Sequence, residues 1–362
     1  MDNIDRVLST LENIDRLGTS ADINFRRMPK FYVRNEYNQN PFKLYDENEF
    51  RRRYRFTKLT VLKVILPLII ANLKHLDNRG LPISPKLQLL IALRFYATGC
   101  FQMVCGDLTG ISQSTVCLII NNVSRQLSNL LPRYIHFPRS MNVVKRKFEE
   151  LGRSNIQHGF NNIIGAIDCT HIKINRPRGI SHSEIYRNRK GYFSINVQAI
   201  VGPNMEIFDL VTRWPGSSHD SRIFRNSQAY ARFLSGNLQG VLVGDSGYPS
   251  LPFLLTPLIT PVTRAENRYN YVQIRTRNIV ERFFGVWKKK FPCLQLGLRS
   301  KLTNTSNIIV ACAVLHNIGI QSGDAYDDGD NDHIPEVPER PNNETSSTAG
   351  LAYRQSIIAQ FN

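Results

Sequence analysis

The chain has 362 residues, 42% of them hydrophobic and 21% charged, which is enough to bury a large core and too apolar for a disordered chain. Its net charge of +17 is uneven: from Gly323 onward eight acids stand against two arginines, so the rest is more basic still. Such a surface suits a polyanion, nucleic acid being the usual one, although lysines scattered over a soluble basic protein give the same balance.

Six cysteines lie in apolar or mixed sequence without a CxxC, which excludes the usual zinc spacings and a secreted disulfide framework and points to a reducing compartment. The N-terminus MDNIDRVLST has acids and no apolar run, so it does not read as a signal peptide. The longest apolar run, Val64–Leu73, is too short to span a bilayer and contains Pro67. A soluble intracellular protein is expected.

Residues 1–40 are polar with short apolar clusters. Phe50-Arg51-Arg52-Arg53-Tyr54-Arg55 is a basic-aromatic cluster that reads as a phosphate-contacting patch, an import signal or a solvated helix start. Phe56–Leu76 is helical in pattern, bent or broken at Pro67. Ser84 and Pro85 open the next helix as N-cap and first residue, Leu87, Leu90, Ile91 and Phe95 form its apolar face, and Gly99 ends it. A short helix over about Phe101–Leu108 is followed by a turn at Thr109-Gly110-Ile111-Ser112. A long helix then runs from Gln113 to about Leu130, with Val116, Ile120, Val123 and Leu127 on one face. Its other face offers Gln113, Thr115, Asn121, Asn122 and Arg125. That succession is helix-turn-helix geometry, which a plain helical bundle shares; the face is poor in Lys and Arg for tight DNA readout.

Pro132–Arg153 is a basic connector, after which the pattern turns strand-like. Ile163–Ile174 reads as a strand in the middle of a sheet, with Asp168 at its centre. Phe193–Val201 and Ile207–Trp214 form a hairpin through Gly202-Pro203-Asn204. Asp220 can N-cap a helix over Ser221–Leu234. Val241–Val243 runs into Gly244-Asp245, and a fifth strand over about Phe253–Pro261, with two prolines, belongs near an edge. Amphipathic helices follow at about Gln273–Lys290 and Asn304–Ile320. The order three strands, helix, two strands, two helices is that of an α/β ribonuclease H-like fold. The expected division is an N-terminal segment 1–50, an all-α domain 51–155 with the helix-turn-helix, a ribonuclease H-like domain 156–322, and a tail 323–362. The tail is acidic and mostly disordered, with Leu351–Phe361 able to dock or bind as a helix.

Three acids stand on elements that this fold brings together: Asp168 in the first strand, Asp245 after the fourth, and Glu281 on the helix that follows. Carboxylates of this kind suit Mg²⁺ or Mn²⁺, and two such ions about 4 Å apart can activate water and steady the leaving oxygen of a phosphodiester. Each acid has a plainer reading. Glu281 lies four residues after Arg277 and could form a helix-surface ion pair; Asp245-Ser246-Gly247 could be an ordinary turn; Asp168 could be a buried acid paired with Arg187 or Arg189. Asp220 is a fourth candidate beside its N-cap reading. His171, three positions from Asp168, should point to the opposite face, and His316 reads as a core histidine. Arg187, Arg189, Lys190, Lys288 and Lys289 are the expected holders of a nucleic-acid backbone, with Arg125 on the helical region.

IDCTHI at Asp168, NRKG from Asn188, WPGSSHDSRIF around Asp220, GDSGYP at Asp245, TPL at Thr256 and IVERFFGVWKKKF around Glu281 resemble PIF/Harbinger-type transposases and the nucleases derived from them. ISPKLQLLIALRFYATGCFQ and GISQSTV upstream resemble the same family, so the similarity covers roughly Phe50 to Ile320. The resemblance implies a DDE-type nuclease domain, with Asp168, Asp245 and Glu281 as catalytic metal ligands and Asp220 beside them. It also implies DNA as substrate, a nuclear protein (with a cytoplasmic pool as the alternative), self-association, and a separate Myb/SANT-like DNA-binding partner. Because domesticated relatives exist, a non-catalytic DNA-binding or regulatory protein is the rival expectation.

Overall fold

The computed structural model describes residues 40–73, 83–154, 158–179, 181–324 and 346–361. The N-terminal segment to residue 39 and the acidic stretch 325–345, where disorder was expected, lie outside the described residues. Helix α1 (Glu47–Tyr54) contains the basic-aromatic cluster: Asp46 caps it, Phe50 and Tyr54 are buried, and the arginines of its last turn complement the helix dipole. Arg53 pairs with Glu49, and Arg51 with Asp324 at 3.3 Å, so part of this charge is engaged within the chain. Around Pro67 the winding changes. A π-helical turn, Thr60–Ile65, precedes α2 (Leu66–Leu73), and its wider winding accommodates the missing proline N–H.

Helix α3 (Pro85–Thr98) is capped by Ser84 and ended by Gly99 as expected. It is buried on nearly all sides, from Gln88 to Leu93 and again at Phe95, Tyr96 and Ala97, and Leu87 is only half-buried. Helices α4 (Gln102–Thr109) and α5 (Gln113–Ser128) are joined through Gly110, whose φ of 63° suits a residue without a Cβ. Val116, Ile120, Val123 and Leu127 all face the core. Helix α6 (Asn142–Gly152) leads to the sheet.

The sheet has the strand order β3-β2-β1-β4-β5, formed by β1 (Ile163–Lys173), β2 (Ser194–Val201), β3 (Ile207–Pro215), β4 (Val241–Val243) and β5 (Leu254–Leu255). The first three are antiparallel neighbours, while β4 runs parallel to both β1 and β5. β4 stops at Val243 opposite Ala166, so β1 continues past it until Leu298 joins that edge at Ile174. The acids of interest lie around this step in the sheet.

Three expected elements differ. The helix expected at Ser221–Leu234 is two: α7 (Asp220–Arg225) and α8 (Gln228–Leu234), the second restarted by Ser227 accepting the N–H of Tyr230. β5 is shorter than Phe253–Pro261, because Pro257 and Pro261 lack the N–H that a ladder requires; it lies at the edge as expected. Helix α9 (Arg264–Lys290) starts nine residues before Gln273, and Thr263 and Glu266 close a capping box there. Helix α10 (Leu302–Gln321) packs on β3 and α5. Among the described residues no helix is long and apolar enough to cross a membrane.

The expected tail is ordered at both described ends. Asp324 is buried: its Oδ2 accepts the N–H of Thr57 at 2.6 Å, and its backbone carbonyl accepts Lys290 Nζ at 3.1 Å. Helix α11 (Thr348–Ile358) docks as a helix. Ser250 binds Ser346, Arg268 donates to the carbonyl of Phe361, and Ile357 and Ile358 are buried. One hydrophobic core links residues from Phe50 to Ile358.

His316 is the core histidine expected from its helix. Its Nε2 lies 2.9 Å from the carbonyl of Met205, its ring packs edge-on against Phe283, and burial, then Lys290, push its pKa down to about 3. Between that value and about 6.5 the unfolded chain binds a proton that the folded one refuses, so stability is complete above 6.5 and falls as pH drops toward 3. His316→Gln should therefore lose roughly 2 kcal/mol less than the parent between pH 7 and pH 5 in urea unfolding. Equal losses would show that the ring is protonated without penalty.

Candidate active site

Asp168 follows a run of buried residues on β1 and pairs across the sheet with Ala199. Its Oδ1 accepts the N–H of Cys169 at 2.7 Å. Burial raises its pKa far above the carboxylate range; the nearby Asp245 and Asp220 add to this, and Arg277 opposes it. Neither Arg187 nor Arg189 is the compensating cation. Arg187 binds Glu184 and the carbonyl of Gly191, and Arg189 lies 2.8 Å from Nδ1 of His219.

Asp245 stands two residues past the end of β4, and its Oδ1 accepts the N–H of Gly247 at 3.0 Å, so the turn exists. Asp220 does not cap α7; His219 holds the N-cap position and Asp220 is the first helical residue. Its Oδ1 accepts Nδ2 of Asn196 on β2 at 2.9 Å, and the same amide donates to the carbonyl of Ser218. Nearby Gly216 packs tightly on β2: a Cβ there would stand 2.3 Å from Ser194 Oγ and 2.6 Å from the Tyr186 carbonyl. Glu281 on α9 does pair with Arg277, at 2.8 Å, but Arg277 is only 8% exposed, so this is not a surface pair.

All four acids line one cavity of about 920 Å³. Arg189, Lys190 and Lys288 line it too; Arg125, Arg187 and Lys289 do not. Lys288 Nζ donates to Thr170 Oγ1 at 2.6 Å and to the His171 carbonyl at 3.2 Å, and burial, then Lys190, bring its pKa down to about 8. His171 was expected on the opposite face, away from the acids. It lines the same cavity. Burial, then Lys288, lower its pKa to about 4.

Arg277, Asn196 and Asn188 were not anticipated as parts of the site. Asn188 accepts the N–H groups of Lys190 and Tyr192 and donates to Ser194, which fixes the loop that presents Arg189 and Lys190. An asparagine before Arg-Lys-Gly is a visible turn signal. The spacing of Arg277 was legible only as an ion pair, and Asn196 inside an apolar strand gave no sign of its partner.

The cavity offers carboxylate oxygens, donors suited to a hard divalent cation. Among the described residues no three His, Cys, Asp or Glu side chains are grouped closely enough to hold an ion, and Glu281 is engaged by Arg277.

Residues 167–317 match the family described as DDE superfamily endonuclease. The HARBI1 proteins of Bos taurus and Homo sapiens, which carry the word nuclease in their names, are each 34% identical to it over 266 residues, covering 72% of this chain and 74% of theirs. The chain belongs to the family of Harbinger transposase-derived nucleases. The Arabidopsis thaliana protein named Antagonist of Like Heterochromatin Protein 1 is 27% identical over 306 residues, covering 77% of this chain and 74% of its own. No solved structure matches the chain significantly.

Proposed function

We propose that this chain is a divalent-metal-dependent DNA endonuclease of the transposase type, with a ribonuclease H-like nuclease domain that acts at the cleft between β1, β4 and α9. One observation carries the reading: Asp168, Asp220, Asp245 and Glu281, from four separate stretches, line a single cavity with Arg189, Lys190 and Lys288. Asp168, Asp245 and Glu281 are the proposed catalytic ligands of Mg²⁺ or Mn²⁺, and Asp220 is the fourth. When bound, such ions activate a water and stabilise the leaving oxygen of a phosphodiester. The remaining chemistry belongs to the chain. Lys190 and Arg189 draw the backbone into the cleft, Lys288 sets a cation beside the strand carrying Asp168, and Glu281, held by Arg277, would be the third carboxylate to hold an ion. Helices α4 and α5 form the helix-turn-helix, with Gln113 and Arg125 exposed; Arg187 and Lys289 are outlying backbone contacts. A nuclear location, self-association and a Myb/SANT-like partner that supplies sequence recognition complete the reading.

The Arg277–Glu281 pair favours a second reading, since it satisfies Glu281 without an ion. In that reading the chain is a domesticated, non-catalytic DNA-binding or regulatory protein, a role consonant with the name of the Arabidopsis relative.

Nicking of a supercoiled plasmid in Mg²⁺ or Mn²⁺ separates the two, with and without the Myb-like partner. Asp245→Asn should lower cutting by about 100-fold or more, taking as a floor the loss typical when only a ligand's outer support is removed, while DNA binding persists. DNA binding without cutting in any condition would establish the second reading.

A further inference from the structure

The lining of the cleft is of two kinds: Arg189 and Lys190 are basic, whereas Pro257, Leu258, Ile259 and Ile274 form an apolar lip. Apart from Ile274, which lies on α9, that lip belongs to the segment 256–263, which joins β5 to α9 and is fixed at several points. Asn270 grips Leu258 from both sides, accepting its N–H at 2.8 Å and donating to its carbonyl at 2.7 Å. Tyr269 donates to the carbonyl of Thr256, the capping box holds Thr263, and prolines occupy 257 and 261. On this fixed segment Ile259 is 66% exposed at the rim of the cavity. A singly exposed isoleucine on a loose loop needs no explanation, whereas one held by its neighbours over an acidic cleft does.

An aliphatic lip offers a phosphate nothing, and sugar and phosphate together leave a cavity of about 920 Å³ with room for a further planar group. The apolar part of a nucleic acid is the face of its bases, which stays inside the stack of an intact duplex and becomes available when a strand is unpaired or kinked. We infer that Leu258 and Ile259 receive an unstacked base beside the scissile phosphate, so that the substrate is DNA unpaired or distorted at the cut. The inference rests on the nucleic-acid reading of the same cleft.

Binding is measured in EDTA, so that no strand is cut, using the whole chain. The probes are a perfect duplex and the same duplex with a two-nucleotide bulge carrying 2-aminopurine. The parent should prefer the bulged duplex, with the 2-aminopurine emission altered on binding. Ile259→Ser, a change at an exposed position, should weaken the bulged complex about tenfold while leaving the perfect duplex unaffected. No preference in the parent, or equal effects of Ile259→Ser on both probes, would overturn the inference and leave the nuclease reading standing. A parent that binds neither probe, with or without the Myb-like partner, would sink both.

Discussion

Trp287→Ala is expected to destabilise the fold by about 3–5 kcal/mol, the range for removing a fully buried indole. Trp287 has no exposed surface, stacks on Phe283 at 5.6 Å and touches Phe284 at 6.5 Å, so its loss opens a cavity against two rigid rings. Among the described residues its indole nitrogen has no hydrogen-bond partner, and an unpaired buried donor costs the native state something. Trp287→Phe should therefore be far milder than the alanine change, since it removes the orphan donor along with part of the volume. Urea midpoints of the three proteins test this; an alanine variant within about 1 kcal/mol of the parent would show that the site collapses to fill the gap. The position also adjoins Lys288, so lost packing should blunt the cleft before the whole chain unfolds.

The second large effect concerns Arg277. Replacing it by methionine keeps much of its bulk and removes the cation that opposes the burial of Asp168 and pairs with Glu281. Without metal the variant should lose roughly 2–4 kcal/mol, as when one partner of a largely buried pair is removed. Adding Mg²⁺ or Mn²⁺ should return much of that loss if the acids can share an ion, because a ligand at about 100 times its dissociation constant contributes about 2.7 kcal/mol. Thermal melts of both proteins in EDTA and in metal decide the matter. A destabilised variant that metal leaves unchanged would mean that the four carboxylates do not act as one ligand set. A variant as stable as the parent would mean that Arg277 compensates nothing.

The two predictions also mark what was legible in the sequence. Strand and helix cores were readable because burial imposes a period: Ile163–Ile174 predicted β1 almost to the residue, and Val116, Ile120, Val123 and Leu127 predicted the inner face of α5. Adjacency of β1 and β4 followed from element order and placed Asp168 near Asp245. Boundaries set by single side chains were harder. The break at Asn226-Ser227 and the early start of α9 depend on caps, and the Thr263/Glu266 box was present in the sequence but outweighed by the stronger apolar pattern downstream. Contacts between distant residues left no local trace. Asn196 reaching Asp220, and Asp324 reaching Thr57, are consequences of the fold that no spacing announces.

That last contact bears on how anything could be attached to this protein. Thr57 and Asp324 lie within one hydrogen bond of each other although the whole sheet is strung between them, and Arg51 and Lys290 meet at the same point. Residues 51 and 57 thus share a single corner with Asp324, the last residue described before position 325. A module fused ahead of α1 and one inserted directly after Asp324 would be neighbours from the outset, whatever their separation in sequence. A fusion partner inserted one residue earlier would tear out the joint itself.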